Sequence, residues 1–182
     1  GTTWTKTNVQ DFCFFQFIEA EGYVFAGGEG CVIARSADEG KTWEVMNFGY
    51  AYADFLSEDE IRYNPCYAMA YHKGKLYAAC QPTDINDKAA DFNGGGVVYS
   101  EDFGETWTLT DRESLMYDIS SEKAPALKDE KPTKVMENFY SMVSFNDELY
   151  LFGVYFVFRL NEETGLWEEV RNDSNFMGVN TN

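Results

Sequence analysis

An eight-residue motif occurs twice in this chain and restricts its possible folds more than any other feature. Residues 36–43 read SADEGKTW and residues 100–107 read SEDFGETW, so five of eight positions agree as S-x-D-x-G-x-T-W. Residues 1–4, GTTW, repeat the second half of the motif, and residues 161–167, NEETGLW, form a degenerate copy. A motif that recurs at unequal spacing indicates repeated structural units that are separated by loops of different length.

A second pattern precedes the motifs and completes the repeated unit. Residues 66–77, CYAMAYHKGKLY, align without gaps on residues 139–150, FYSMVSFNDELY, and residues 12–25 fit the same frame with Cys13 placed on Cys66. Each copy contains the turn chemistry of a short hairpin, at Glu21-Gly22, Lys73-Gly74 and Asn146-Asp147. The unit therefore predicts four antiparallel strands, which is the blade of a β-propeller.

The octapeptide resembles the Asp-box, or BNR, repeat of sialidases, other propeller glycosidases and sortilin-like receptors. The resemblance implies an all-β fold, a β-propeller of four-stranded antiparallel blades, with about three blades in this chain. We expect blades at residues 11–46, 64–110 and 138–171, and the outer strand of a preceding blade at residues 1–10. Residues 47–63, 82–95 and 111–137 are predicted to be long loops that share one face of the disc.

The motif residues are predicted to have a structural role in the turn between the third and fourth strands of a blade. The Asp side chains should accept backbone N–H groups across the turn, and the Gly residues should adopt a positive φ. The Trp side chains should pack into the seam between blades. These turn residues are Ser36, Asp38, Gly40, Thr42, Trp43, Ser100, Asp102, Gly104, Thr106 and Trp107.

Three blades are fewer than the four to eight or so of a closed propeller. Trp4 marks an outer strand that has no inner strands before it in this sequence. We therefore expect further blades to be supplied by the rest of a longer chain or by self-association, for instance of two three-bladed halves.

The composition excludes several classes of partner and cofactor. The formal net charge of −17 argues against nucleic acid and anionic membranes, and aromatic residues reach 17%, which favours strands. The four cysteines include no C-x-x-C pair, so a thiolate metal site has no support. We expect free, buried thiols, although an even number also permits two disulfides.

The long loops are the predicted ligand face, because binding residues concentrate on loops that a rigid scaffold holds. Their aromatic and charged residues suit a glycan or a protein surface, and they equally suit loops that simply fold onto the disc. An oxygen-rich stretch in the second loop is a weak candidate for Ca²⁺, and no other cofactor is expected. The candidate face comprises Tyr50, Tyr52, Arg62, Tyr63, Asp87 and Phe92, and the calcium candidates are Asp84, Asn86, Asp87 and Asp91.

Catalysis has little support in the sequence. No set of convergent arginines or R-I-P motif of the sialidase type is present, and His72 is predicted to be a solvent-facing turn residue. The sequence therefore favours a non-catalytic β-propeller binding module in a secreted, cell-surface or virion protein. The alternatives are a segment of a propeller glycoside hydrolase, with its catalytic residues largely outside this chain, and a purely architectural role.

Overall fold

The computed structural model of the chain describes residues 5–9, 12–52, 65–80, 96–118, 134–136, 138–153 and 156–172. It contains three four-stranded antiparallel sheets, each with its strands in chain order, and one two-stranded ribbon. This architecture confirms the predicted all-β fold class, a partial β-propeller with three blades. In the described residues, no helix is both long and apolar enough to span a membrane.

The three blades have the following strands. Blade 1 comprises β1 (Phe14–Ala20), β2 (Tyr23–Gly28), β3 (Val32–Ser36) and β4 (Glu44–Asn47). Blade 2 comprises β5 (Cys66–His72), β6 (Lys75–Cys80), β7 (Gly96–Ser100) and β8 (Thr108–Leu109). Blade 3 comprises β11 (Phe139–Phe145), β12 (Glu148–Gly153), β13 (Phe156–Asn161) and β14 (Leu166–Asn172).

The connection from blade 2 to blade 3 is partly folded. It was predicted as one long loop over residues 111–137, but β9 (Tyr117–Asp118) pairs antiparallel with β10 (Lys134–Val135) within it. Two short 3-10 helices, Gly49–Tyr52 and Glu113–Leu115, follow the outer strands of blades 1 and 2.

The first two strands of every blade are joined by the same tight turn. Both central residues have a positive φ in all three turns, with values of 50° and 80° at Glu21 and Gly22 and of 50° and 62° at Asn146 and Asp147. Two positive φ angles define the type I′ turn, whose twist matches that of the flanking strands. Turn chemistry thus sets the register of each hairpin.

A β-bulge interrupts the pairing at the start of each first strand. The register shifts between Phe14 and Gln16 in blade 1, and at the same place in blades 2 and 3. Phe14 is therefore the equivalent of Cys66, and the predicted alignment of Cys13 on Cys66 is wrong by one residue. Cys13 lies one position before the strand and is exposed, so the expectation of a buried thiol is wrong there. The other three cysteines are buried, and all four are free.

Blades 1 and 2 pack through one apolar seam, and blades 2 and 3 through a second. In both seams the first two strands of the later blade supply a large share of the buried side chains. The first seam includes Phe25, Ile33, Met69, Leu76 and Trp107. The second includes Tyr77, Phe139, Met142, Leu151 and Trp167. Burial of these side chains holds neighbouring blades together.

The octapeptide turns are closed by the Asp carboxylate. Asp38 accepts hydrogen bonds from the Thr42 N–H at 2.8 Å and from the Thr42 hydroxyl at 2.7 Å. These bonds lower the pKa of Asp38 to about 2. Asp102 accepts the corresponding bonds from Thr106 at 2.8 and 2.6 Å. Burial acts against ionisation of Asp102, but the bonds from Thr106 outweigh it and its pKa is also lowered.

The same turns bring the Trp and the Gly into contact with their neighbours. The Trp107 indole N–H donates to the Gly104 carbonyl at 2.9 Å. Gly104 has a φ of +99°, and a Cβ on it would lie 2.8 Å from Cε of Met46 in blade 1. This position therefore requires glycine for its backbone conformation and for the close approach of the preceding blade.

In each of the three blades, a polar side chain from the preceding connection bonds the main chain of the Trp that follows the turn. The Tyr50 hydroxyl accepts the Trp107 N–H at 2.5 Å, and the Ser114 hydroxyl accepts the Trp167 N–H at 2.9 Å. In blade 1 the Asn8 amide accepts the Trp43 N–H at 2.9 Å and donates to the Trp43 carbonyl at 2.7 Å. We call these side-chain bonds to the Trp main chain straps. They occur in all three blades, so they belong to the repeated unit.

Replacing Asp102 with Ala should lower the free energy of unfolding by about 1–2 kcal/mol, because the N–H and hydroxyl of Thr106 lose their shared acceptor. Chemical denaturation of the purified variant measures this change. Asp102→Asn keeps one acceptor oxygen and should lose less. An unchanged midpoint for Asp102→Ala would show that the carboxylate does not stabilise the turn.

Candidate functional site

The first strands of the three blades lie side by side, with β5 between β1 and β11. In a propeller these inner strands surround the central channel. Gln16 ties two of them together, since its side-chain amide accepts the Met69 N–H at 2.6 Å and donates to the Met69 carbonyl at 3.1 Å. The channel wall is thus held by hydrogen bonds that run between blades.

Each bulge at the start of an inner strand presents an aromatic side chain. Phe15, Tyr67 and Tyr140 occupy the same position in blades 1, 2 and 3, and we call them the aromatic ladder. The Phe15 and Tyr67 ring centroids are 4.6 Å apart in an edge-to-face arrangement. The Tyr67 and Tyr140 centroids are 6.1 Å apart with an interplanar angle of 22°. Both geometries are favourable for aromatic pairs.

The two outer members of the aromatic ladder are open to solvent, and Tyr67 between them is half-buried. Phe15 is 43% exposed and Tyr140 is 52% exposed. Exposed aromatic side chains that lie close together make this part of the surface a candidate site. The row combines flat apolar faces with the phenolic hydroxyls of Tyr67 and Tyr140, which can donate and accept hydrogen bonds.

The aromatic ladder lies at the end of the channel where the chain enters each first strand. The connections from the fourth strand of one blade to the first strand of the next therefore reach the same end. Two of the predicted long loops, residues 47–63 and 111–137, are such connections. We call this end of the channel, where the aromatic ladder lies and these connections enter the inner strands, the channel mouth.

The predicted ligand-face residues fall mostly outside the described residues. Tyr50 is described, and its ring is exposed while its hydroxyl bonds the main chain of Trp107. Tyr52 ends the first 3-10 helix. Arg62, Tyr63, Asp87 and Phe92 lie outside the described residues, and so do the calcium candidates Asp84, Asn86, Asp87 and Asp91.

Within the described residues, no three His, Cys, Asp or Glu side chains come together as a metal site would require.

The prediction for His72 is wrong, because the structure buries it. Only 3% of His72 is exposed. Its Nδ1 lies 2.7 Å from the Ser144 hydroxyl and its Nε2 lies 2.8 Å from a Glu162 carboxylate oxygen, both in blade 3. The side chain points into the seam between blades rather than outward from the turn. The sequence places His72 correctly beside a turn. It does not show that the side chain lies on the face of β5 that packs against blade 3.

The aromatic ladder was missed as a site, although its signal is present in the sequence. The repeat alignment already places Tyr67 on Tyr140. Shifting the blade 1 segment by one residue, so that the hairpin turns coincide, adds Phe15 to the same column. An aromatic residue that recurs at one column of a repeat is the signal that would have identified the row.

Comparisons with known proteins identify the fold and no closer relationship. No protein-family model and no curated protein matches the sequence. A solved structure of YCF48 from Cyanidioschyzon merolae, a β-propeller protein, matches 95% of this chain with a TM-score of 0.59 and 11% sequence identity. The match covers 44% of that protein, so this chain spans less than half its length.

Replacing Tyr50 with Phe tests whether this candidate residue has a structural role. The variant keeps the exposed ring but removes the acceptor for the Trp107 N–H, so the free energy of unfolding should fall by about 1 kcal/mol. Thermal and chemical denaturation measure the loss. Tyr140→Phe is the matched control. Equal stabilities of the two variants would show that the bond between the Tyr50 hydroxyl and the Trp107 N–H does not stabilise the fold.

Proposed function

We propose that the chain is a non-catalytic β-propeller module that binds a glycan at the channel mouth, in a secreted, cell-surface or virion protein. The observation that carries this proposal is the aromatic ladder, in which Phe15 and Tyr140 are exposed and contact the half-buried Tyr67 between them. Sugar rings have apolar C–H faces that stack on aromatic rings, and their hydroxyl groups bond phenolic oxygens.

The net negative charge of the chain disfavours anionic glycans. With 31 acidic and 14 basic residues, the protein repels polyanions such as sulfated chains. The proposed ligand is therefore a neutral or amino-sugar glycan. The alternative ligand is a protein surface that inserts apolar side chains between the rings, and a folded protein that binds no glycan would favour it.

We also propose that the chain is an Asp-box repeat protein. The support is the turn itself, in which a Ser, an Asp and a Thr of the octapeptide bond one another in the same way in both copies.

The proposal includes further blades, supplied by a longer chain or by a second copy. The outward face of blade 3 supports it, because Val143 and Phe145 are exposed there while the equivalent residues Ala70 and His72 of blade 2 are buried against blade 3.

Screening on an array of neutral and amino-sugar glycans, followed by calorimetry on the best ligand, tests the proposed function. Tyr67→Ala and Tyr140→Ala should each weaken binding by about tenfold or more, since a stacked ring is lost at the centre of the contact. Phe145→Ala is the matched control, because Phe145 is a 61% exposed aromatic residue at the other end of β11.

Three results would count against glycan binding at the channel mouth. The first is a folded protein that binds no glycan on the array. The second is equal affinity of the Tyr140→Ala and Phe145→Ala variants. The third is release of a fluorophore from fluorogenic glycosides, which would show that the protein is a glycosidase and not a non-catalytic binding module.

A further inference from the structure

A cavity of about 530 Å³ opens in the seam between blades 2 and 3, on the side of the tight turns. It lies between the hairpin turn of blade 2 and the degenerate octapeptide turn of blade 3, away from the channel mouth. A volume of this size is typical of small-molecule sites, which range from about 300 to 1,000 Å³. Its wall includes His72, Lys73, Lys75, Tyr77, Tyr99 and Glu162.

The equivalent part of the seam between blades 1 and 2 is filled by side chains. The Phe103 ring lies between Tyr23 and Tyr71, with centroid distances of 5.2 and 6.3 Å. Met46 packs against the backbone of Gly104. Arg35 bonds the Phe103 carbonyl at 3.1 Å. This seam is closed by aromatic, thioether and guanidinium groups.

Three of the residues that fill the first seam, Met46, Tyr71 and Phe103, are replaced by smaller or outward-facing ones in the second. Strand pairing and turn position make Thr110 the equivalent of Met46, and Ser144 the equivalent of Tyr71. The equivalent of Phe103 is Glu163, which is exposed. The cavity therefore arises from a specific divergence between two copies of one repeat.

The degenerate turn of blade 3 directs a carboxylate toward this cavity. Glu162 occupies the motif position of Asp38 and Asp102, but the turn N–H groups of Glu163 and Thr164 bond the Asn161 amide oxygen instead, at 3.1 and 3.2 Å. The Glu162 carboxylate instead accepts bonds from Lys73 at 2.6 Å and contacts His72 at 2.8 Å.

Lys73, Lys75, Glu162 and Asp111 are the charged lysine and carboxylate residues of the cavity wall, and Asp111 accepts the Ser114 N–H at 2.8 Å. Bonds from Lys73 and from His72 lower the pKa of Glu162, so it is ionised at neutral pH. Lys75 pairs with Glu101 at 2.9 Å and lies 4.3 Å from the centre of the Tyr99 ring. Because both lysines already have carboxylate partners, the wall favours a neutral ligand that exchanges hydrogen bonds with charged groups.

The buried His72 contacts Glu162 and Ser144 across the seam. Ser144, His72 and Glu162 are the residue types of a hydrolytic triad, and the two ring nitrogens of His72 contact the Ser144 hydroxyl and the Glu162 carboxylate as in such a triad. Ser144 is not among the residues that line the cavity, so its hydroxyl has no access to a ligand there.

We propose that this cavity is a second site, which binds a neutral monosaccharide or the terminal sugar of a short oligosaccharide. The ligand hydroxyls would bond the carboxylate of Glu162 and the hydroxyls of Tyr77 and Tyr99, all of which line the cavity. Paired charges and hydroxyl groups around a cavity of this size suit a polyhydroxylated ring better than an ion or an apolar molecule.

Saturation-transfer NMR with glucose, galactose, mannose and N-acetylglucosamine at millimolar concentration tests the site. At least one sugar should receive saturation from the wild-type protein, and Glu162→Gln should weaken its binding at least tenfold. Glu163→Gln is the matched control, because it removes a neighbouring carboxylate that does not line the cavity. Tyr23 is the equivalent of Lys75 in the filled seam between blades 1 and 2. Lys75→Tyr therefore introduces the residue type of the filled seam and should abolish binding.

Two outcomes would overturn the proposed cavity site. One is that none of the four sugars receives saturation from the folded wild-type protein. The other is that a sugar binds equally to the wild type, Glu162→Gln and Lys75→Tyr, while Tyr67→Ala abolishes binding. The second outcome would assign the sugar to the channel mouth and leave the proposed function intact. Conversely, loss of binding in Glu162→Gln and not in Tyr67→Ala would support the cavity alone.

Discussion

The bond from the Thr of the octapeptide to the Asp carboxylate is the interaction on which the rest of the structure depends. Asp38 and Asp102 each accept an N–H and a hydroxyl from the Thr four residues later. This closes the turn and directs the following Trp back across it, where the Trp107 indole bonds the Gly104 carbonyl. The Trp then covers the seam with the preceding blade, so a local turn decides how two blades meet.

The third blade shows what happens when this interaction is lost. Its turn is held by Asn161, and the Trp167 indole bonds Thr110 of the preceding blade at 3.1 Å instead of its own turn. The strap from Ser114 to the Trp167 main chain is kept. The blade therefore stays in place, while the carboxylate of Glu162 is released from the turn to face the seam. Divergence of one turn changes the chemistry of a seam without changing the fold.

The fold could be predicted from the sequence because the repeat encodes it locally. Turn residues with positive φ and the spacing of the octapeptide define strands, hairpins and blades without any knowledge of distant contacts. The candidate sites could not be predicted so directly. The aromatic ladder lies at a bulge, and the alignment of Cys13 on Cys66 places Phe14 in its column in place of Phe15. The environment of His72 depends on Ser144 and Glu162, which are more than seventy residues away and meet it only when the blades pack.

The dependence of stability on pH tests the central claim, that ionised Asp carboxylates hold the octapeptide turns. The pKa of Asp38 is lowered from 3.8 to about 2, so its ionised form stabilises the folded state above pH 4, and this contribution is lost as the pH falls toward 2. Chemical denaturation gives the free energy of unfolding of the wild type and of Asp38→Asn from pH 5 to pH 2. The dependence of this free energy on pH is then compared between the two proteins. The wild type should lose more stability than the variant between pH 4 and pH 2. Equal losses in the two proteins would show that the ionised Asp38 carboxylate does not hold the turn.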